Sequence, residues 1–143
     1  MKTWIAGIAL AWAAVAHAQP TPVGLWKTID DKSGKERSYV RISDGPNGLS
    51  GRIEKRLDPD AKPDDVCDKC PDDRKGQRVQ GLEIIRGGKK VDGEPHWEGG
   101  NILDPEAGKT YRLRLTPQDG GQKLEVRGYI GPFFRNQHWI RVE

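Results

Sequence analysis

Cys67-Asp68-Lys69-Cys70 is the segment whose residue types and spacing come closest to chemistry. Two thiols this close can form a disulfide, cycle as a redox pair, attach a haem or supply half of a zinc site. Haem attachment needs His directly after the second cysteine, and Pro71 stands there. A tetrahedral zinc site needs four ligands, and the other candidates, His96 and His138, lie at distant and unpatterned spacing. A thioredoxin-type pair relies on a helix N-terminus to lower the pKa of its first thiol. Pro71-Asp72-Asp73 and Gly76 start no amphipathic helix, and Asp68 with its neighbouring carboxylates acts in the opposite direction. A structural Cys67–Cys70 bridge is the favoured reading, with thiol-disulfide activity as the alternative.

Other reactive patterns are weaker. Seven aspartates lie between Asp58 and Asp73, but Lys62 and Lys69 intervene and the calcium-loop order of ligands is missing, so a solvated acidic loop is expected. There is no Gly-x-Ser-x-Gly, Gly48-Leu49-Ser50-Gly51 has the wrong spacing, and the glycine pairs at 87, 99 and 120 open no phosphate-cradling helix. His96 and His138 fall inside strand-like patterns, where a hydrogen-bonded structural role is expected. No catalytic residue, metal or cofactor is assigned, and the chain is read as a binding module rather than an enzyme.

The compartment bears on the cysteines. Lys2 gives a short positive start, Trp4 to Ala16 is apolar throughout, and Ala16-His17-Ala18 has the small-x-small form of a signal-peptidase site. The apolar stretch is shorter than the roughly 20 residues of a membrane-spanning helix. Residues 1–18 are thus read as a cleaved signal peptide and 19–143 as one periplasmic or secreted domain with no membrane span. Gln19 rather than Cys follows the expected cut, so no lipid anchor is implied. In an oxidising compartment a close cysteine pair is usually bridged. A ring of so few residues contributes only about 2 kcal/mol through loop entropy, so it fixes the loop rather than the fold.

The leader holds a disproportionate share of the 34% hydrophobic residues, including Trp4 and Trp12, and leaves Trp26, Trp97 and Trp139. So thin an inventory suits a sheet that buries one face only. A net charge of +3 from 24 basic and 21 acidic side chains is too mixed to suggest a nucleic-acid partner. Alternation with period two recurs along the chain. Leu49, Ile53 and Leu57 share one face while Arg52, Glu54 and Arg56 share the other, and Tyr111-Arg112-Leu113-Arg114-Leu115 and Leu124 to Ile130 repeat the pattern. Turn formers separate the runs: Asp30 to Gly34, Gly45-Pro46-Asn47-Gly48, Val91-Asp92-Gly93, Asp104 to Gly108 and Asp119-Gly120-Gly121. The spacing predicts about eight strands, near residues 24–30, 37–44, 49–57, 81–87, 96–103, 110–116, 123–130 and 136–142. Tight turns in chain order favour an all-β, up-and-down antiparallel β-barrel, with a sandwich as the competing architecture.

Gly24-Leu25-Trp26 resembles the Gly-x-Trp opening of lipocalin-like barrels, and Arg141 follows Trp139 where those barrels place a basic residue over the first-strand tryptophan. A guanidinium over the Trp26 indole would plug the barrel's closed end. A broader resemblance rests on four blocks in order: Gly24-Leu25-Trp26-Lys27-Thr28, the Cys67–Cys70 loop, Ile102 to Tyr111, and Val126 to Pro132 with Trp139-Ile140-Arg141-Val142. These are similar to domain of unknown function family 2147, small exported bacterial proteins. That resemblance implies a periplasmic or secreted lipocalin-like barrel and no established activity. The short Phe133-Phe134-Arg135-Asn136-Gln137 connection argues against a lid at that end.

The expected function is binding of a small apolar or amphipathic ligand inside the barrel. Alternation nominates Val40, Ile42, Ile53, Ile84, Trp97, Tyr111, Leu113, Val126 and Ile130 as lining, although each also suits a solid core. A filled barrel would move the function outside, to an envelope or host protein, with Phe133 and Phe134 as the exposed aromatic patch.

Overall fold

A computed structural model describes residues 2–11 and 19–143. The expected cleavage motif Ala16-His17-Ala18 lies outside the described residues. Residues 2–11 have no regular secondary structure, and Trp4, Ile5, Ile8 and Leu10 are exposed.

The alternating runs form strands β1 (Gly24–Ile29), β2 (Glu36–Gly45), β3 (Gly48–Arg56), β4 (Glu83–Arg86), β5 (Lys89–Lys90), β6 (Trp97–Asp104), β7 (Lys109–Gln118), β8 (Lys123–Ile130) and β9 (Phe133–Arg141). Every pairing is antiparallel, each major strand neighbours the next in chain order, and β9 returns to β1. β4 also pairs with β6, which closes the sheet into an eight-stranded barrel with the two-residue β5 as an appendage on β6. Closure leaves no long edge for another chain to extend. β9 begins at Phe133, earlier than alternation suggests, because Phe133 and Phe134 pair with Ile130 and Tyr129; the β8–β9 connection is only Gly131-Pro132.

The closing seam is short and depends on backbone contact. Ile85 pairs with Ile102 and Arg86 with Asn101. Beyond them the chains approach so closely that a Cβ at Gly100, where φ is +67°, would lie 2.1 Å from the Arg86 carbonyl oxygen. A bulge at Gly99-Gly100 in β6 bends the strand to meet β4. The β3–β4 register skips a residue beside Ile84, and both Ile84 and Ile85 are buried.

One end of the barrel is sealed by Trp26 and Arg141, which pair across β1 and β9. The guanidinium lies 4.2 Å from the indole centroid. Its Nε donates to the Gly121 carbonyl at 2.6 Å, Nη1 to Val23 at 2.9 Å and Nη2 to Thr21 at 2.7 Å. Trp26 Nε1 donates to the Pro22 carbonyl at 2.8 Å. One cation thus ties the incoming chain, the β7–β8 turn and the last strand together. Burial lowers the pKa of Arg141, and backbone carbonyl oxygens accept the hydrogen bonds its guanidinium donates.

Replacing Arg141 by Met should orphan those carbonyls and lower stability by about 2–4 kcal/mol. Arg141→Lys should recover part of the loss, because an ammonium keeps the charge without the fork. Urea unfolding of the three proteins measures the order, and equal midpoints would refute this account of the seal.

Candidate functional site

The opposite end of the barrel is open and holds a cavity of about 770 Å³. Strand direction decides its chemistry. On β9 the inward positions run Arg141, Trp139, Gln137, Arg135 from the sealed end to the mouth. On β1 and β2 they pass from Trp26 and Val40 to Thr28 and Ser38, whose buried hydroxyls share a hydrogen bond of 2.9 Å. The lining therefore changes from apolar at the floor to polar at the mouth. Ile53, Ile84, Ile102, Val126 and Trp139 line the cavity, with Tyr111 above them, and Trp139 Nε1 donates to Gln137 Oε1 at 3.0 Å.

Of the nominated lining residues, Ile53, Ile84, Tyr111 and Val126 stand at the cavity wall. Val40, Ile42 and Leu113 face inward but are packed in the closed half of the core, away from the cavity. Trp97 is half-buried against that same core, with Lys90 Nζ 5.6 Å from its ring, and Ile130 is exposed at the tip of β8. The structure places these five away from the cavity wall: alternation identifies the inward face but not the height along the barrel. Thr28, Ser38, Gln137 and Trp139 were not nominated. The signal for Gln137 and Trp139 was the alternation of Arg135, Gln137 and Trp139 on β9, a polar-to-apolar sequence on one face. His96 and His138 lie outside the cavity, beside Glu98 and Glu125.

The segment between β3 and β4 forms one side of the mouth. Cys67 and Cys70 are joined in a buried disulfide with Cα atoms 5.4 Å apart. Cys67 Sγ lies 3.5 Å from the Pro105 carbonyl oxygen, and the Lys69 backbone comes so near Gly108 that a Cβ there would meet its oxygen at 2.0 Å. The bridge thereby docks the loop onto the β6–β7 turn. Backbone bonds between Cys67 and Gln77 and between Val79 and Asp65 fold the segment on itself. Buried Arg74 grips Asp72 through Nε at 3.0 Å and Nη2 at 2.9 Å, and its Nη1 donates to the Glu83 carbonyl on β4. Arg86 makes a bidentate pair with Asp73, at 2.8 and 2.9 Å. Aspartates read as a solvated acidic loop are in part engaged by arginines.

Charged side chains ring the opening. Arg37 reaches Asp58 at 3.2 Å and also pairs with Glu106, Arg56 pairs with Asp65 at 2.7 Å, and Arg135 with Asp31 at 2.5 Å. Arg86 beside Asp73 and Arg135 beside Asp31 hold those carboxyls below the usual carboxylate range. The Lys62 backbone N–H, followed by Arg56, does the same for Asp65.

A carboxylate whose folded pKa is lowered stabilises the fold above its ordinary value of about 4, and that contribution disappears as pH falls through the folded value. The melting temperature should therefore drop on acidification below about pH 4. Asp73→Asn should make this acid slope shallower while lowering stability at neutral pH. Melting curves from pH 7 to pH 2 provide the comparison, and an unchanged slope would contradict the assignment.

The sequence and fold agree with known proteins. The family described as "Uncharacterized protein conserved in bacteria (DUF2147)" matches residues 24–141. No curated protein gives a significant match. A solved structure described as protein HP1028 from the human pathogen Helicobacter pylori, belonging to the lipocalin family, is similar with a TM-score of 0.72 at 18% identity, covering 87% of this chain and 84% of that one. At that identity the likeness concerns the fold: a closed eight-stranded antiparallel barrel of lipocalin type. With the family match spanning almost every strand and that barrel beneath it, the chain belongs to the bacterial DUF2147 family.

Proposed function

We propose that this protein is an exported binding module that takes one small amphipathic molecule into its barrel, apolar end down. The observation that carries the reading is the graded cavity of about 770 Å³, within the usual range for small-molecule sites. Ile53, Ile84, Val126 and Trp139 offer an apolar floor, and Thr28, Ser38, Gln137 and the charged rim offer partners for a polar head. A purely apolar ligand would set hydrocarbon against the Thr28–Ser38 and Gln137 level and the charged rim, displacing water from polar groups with spare hydrogen-bonding capacity, so an amphipathic one fits better. The role is binding rather than catalysis. The Cys67–Cys70 bridge, buried against the β6–β7 turn, acts as a structural fastener of the loop.

Export rests on the charged start at Lys2, the apolar stretch from Trp4 to Ala16 and the Ala16-His17-Ala18 motif, and a periplasmic or secreted location suits the disulfide. Gln19 after the cut leaves the released domain without a lipid anchor. No helix among the described residues is long and apolar enough to cross a membrane.

Titration with dansylundecanoic acid, an apolar chain ending in a carboxylate, tests the cavity. One-to-one saturation is expected, weakened about tenfold by Val126→Trp, whose indole would occupy the ligand's volume. Ile53→Phe should act in the same direction with less disturbance of the wall, and melting curves check that both variants fold. Unaltered affinity in folded variants would remove the barrel interior as the binding site.

A further inference from the structure

The β8–β9 hairpin carries a feature that the cavity does not use. At its tip Ile130, Phe133 and Phe134 are 49%, 76% and 53% exposed. These three large apolar side chains stand exposed at one two-residue turn, Ile130 and Phe133 paired on one face of the hairpin and Phe134 on the other beside Tyr129. Directly behind it on the outer face, the Tyr129 ring lies 5.9 Å from Phe134, with the Arg127 guanidinium 4.1 Å from Phe134 and that of Arg112 5.1 Å from Tyr129.

The adjoining strand segments are basic. Residues 107–116 and 126–138 contain Lys109, Arg112, Arg114, Arg127 and Arg135 and no carboxylate. From other segments, Glu98 pairs with Arg114, Asp31 with Arg135, and Glu125 lies 3.8 Å from Arg127. Among the described residues Lys109 and Arg112 make no ion pair. By strand register Arg112 stands level with Tyr129 and Phe134, Arg127 lies two residues behind them, and Lys109 starts β7 near the level of the tip, so long cationic side chains flank the apolar tip and can reach lipid phosphates while it meets the acyl boundary.

We propose that this hairpin docks the barrel onto a lipid bilayer bearing anionic headgroups, with Phe133 and Phe134 at the acyl boundary and Lys109, Arg112 and Arg127 facing the phosphates. Gly128, Arg135 and Gln137 of the same hairpin line the cavity, so docking sets the mouth beside the bilayer. Transfer of an amphipathic ligand at that point rests on the cavity reading; docking itself does not.

Flotation of the full chain with phosphatidylcholine vesicles, with and without phosphatidylglycerol, tests the proposal. The protein should float with the anionic vesicles and release as salt rises. Phe133→Ser with Phe134→Ser should reduce the bound fraction about tenfold without changing the melting temperature, since both side chains are exposed. Any contribution from the apolar N-terminal residues is common to both proteins. Lys109→Gln with Arg112→Gln should remove the preference for anionic over neutral vesicles. Equal flotation of parent and phenylalanine variant overturns the proposal, as does a parent that never floats. A parent that stays unbound but forms a dimer lost in that variant assigns the tip to a second copy of the chain. The phenylalanine variant should bind dansylundecanoic acid like the parent, which separates failure of docking from failure of the cavity.

Discussion

The Arg141 guanidinium on the Trp26 indole is the interaction on which the barrel's asymmetry depends. A half-buried cation is costly to desolvate, and here aromatic stacking and carbonyl acceptors from Thr21, Val23 and Gly121 compensate. The consequence is economical sealing. One side chain satisfies three stretches of backbone at a place where a hydrophobic plug would have needed several residues. A chain with few apolar residues can then pack Val40, Ile42, Leu113, Leu115 and Leu124 densely in the closed half and leave the other half unfilled.

The open half is organised by the opposite means. Ion pairs cross from strand to turn and from turn to loop: Arg37 to Asp58 and Glu106, Arg56 to Asp65, Arg135 to Asp31, Arg86 to Asp73. Individually, pairs with this much solvent contact contribute little. Their effect lies in geometry, since they hold the β3–β4 segment and the β1–β2 turn around the opening. The disulfide and buried Arg74 fasten that segment to the β6–β7 turn and to β4, so it serves as a fixed wall of the mouth.

How much of this was legible in the chain follows from what alternation encodes. A period of two names the inward face, and it located the major strands and the inward set from Val40 to Val126. It carries no information on height, so Val40, Ile42 and Leu113 were not separated from Ile53 and Val126, and Ile130 was placed inside although it ends at an exposed tip. The bulges at Ile84 and at Gly99-Gly100 interrupt the period where the barrel closes, through contacts between strands distant in the chain. The loop holding Cys67 and Cys70 was harder still. Its order comes from Pro105, Gly108, Glu83 and Arg86, and no local pattern announces such partners. Whether a barrel is filled or vacant is a balance of volumes over all strands at once, which neighbouring residues cannot report.

The proposed function requires a ligand to occupy the open half of the barrel. Native mass spectrometry of the protein recovered from a bacterial periplasm without denaturant addresses it directly. The account predicts one equivalent of an adduct of lipid or metabolite mass, retained by the folded protein and released on unfolding. A bare mass that persists after incubation with an envelope lipid extract would contradict it.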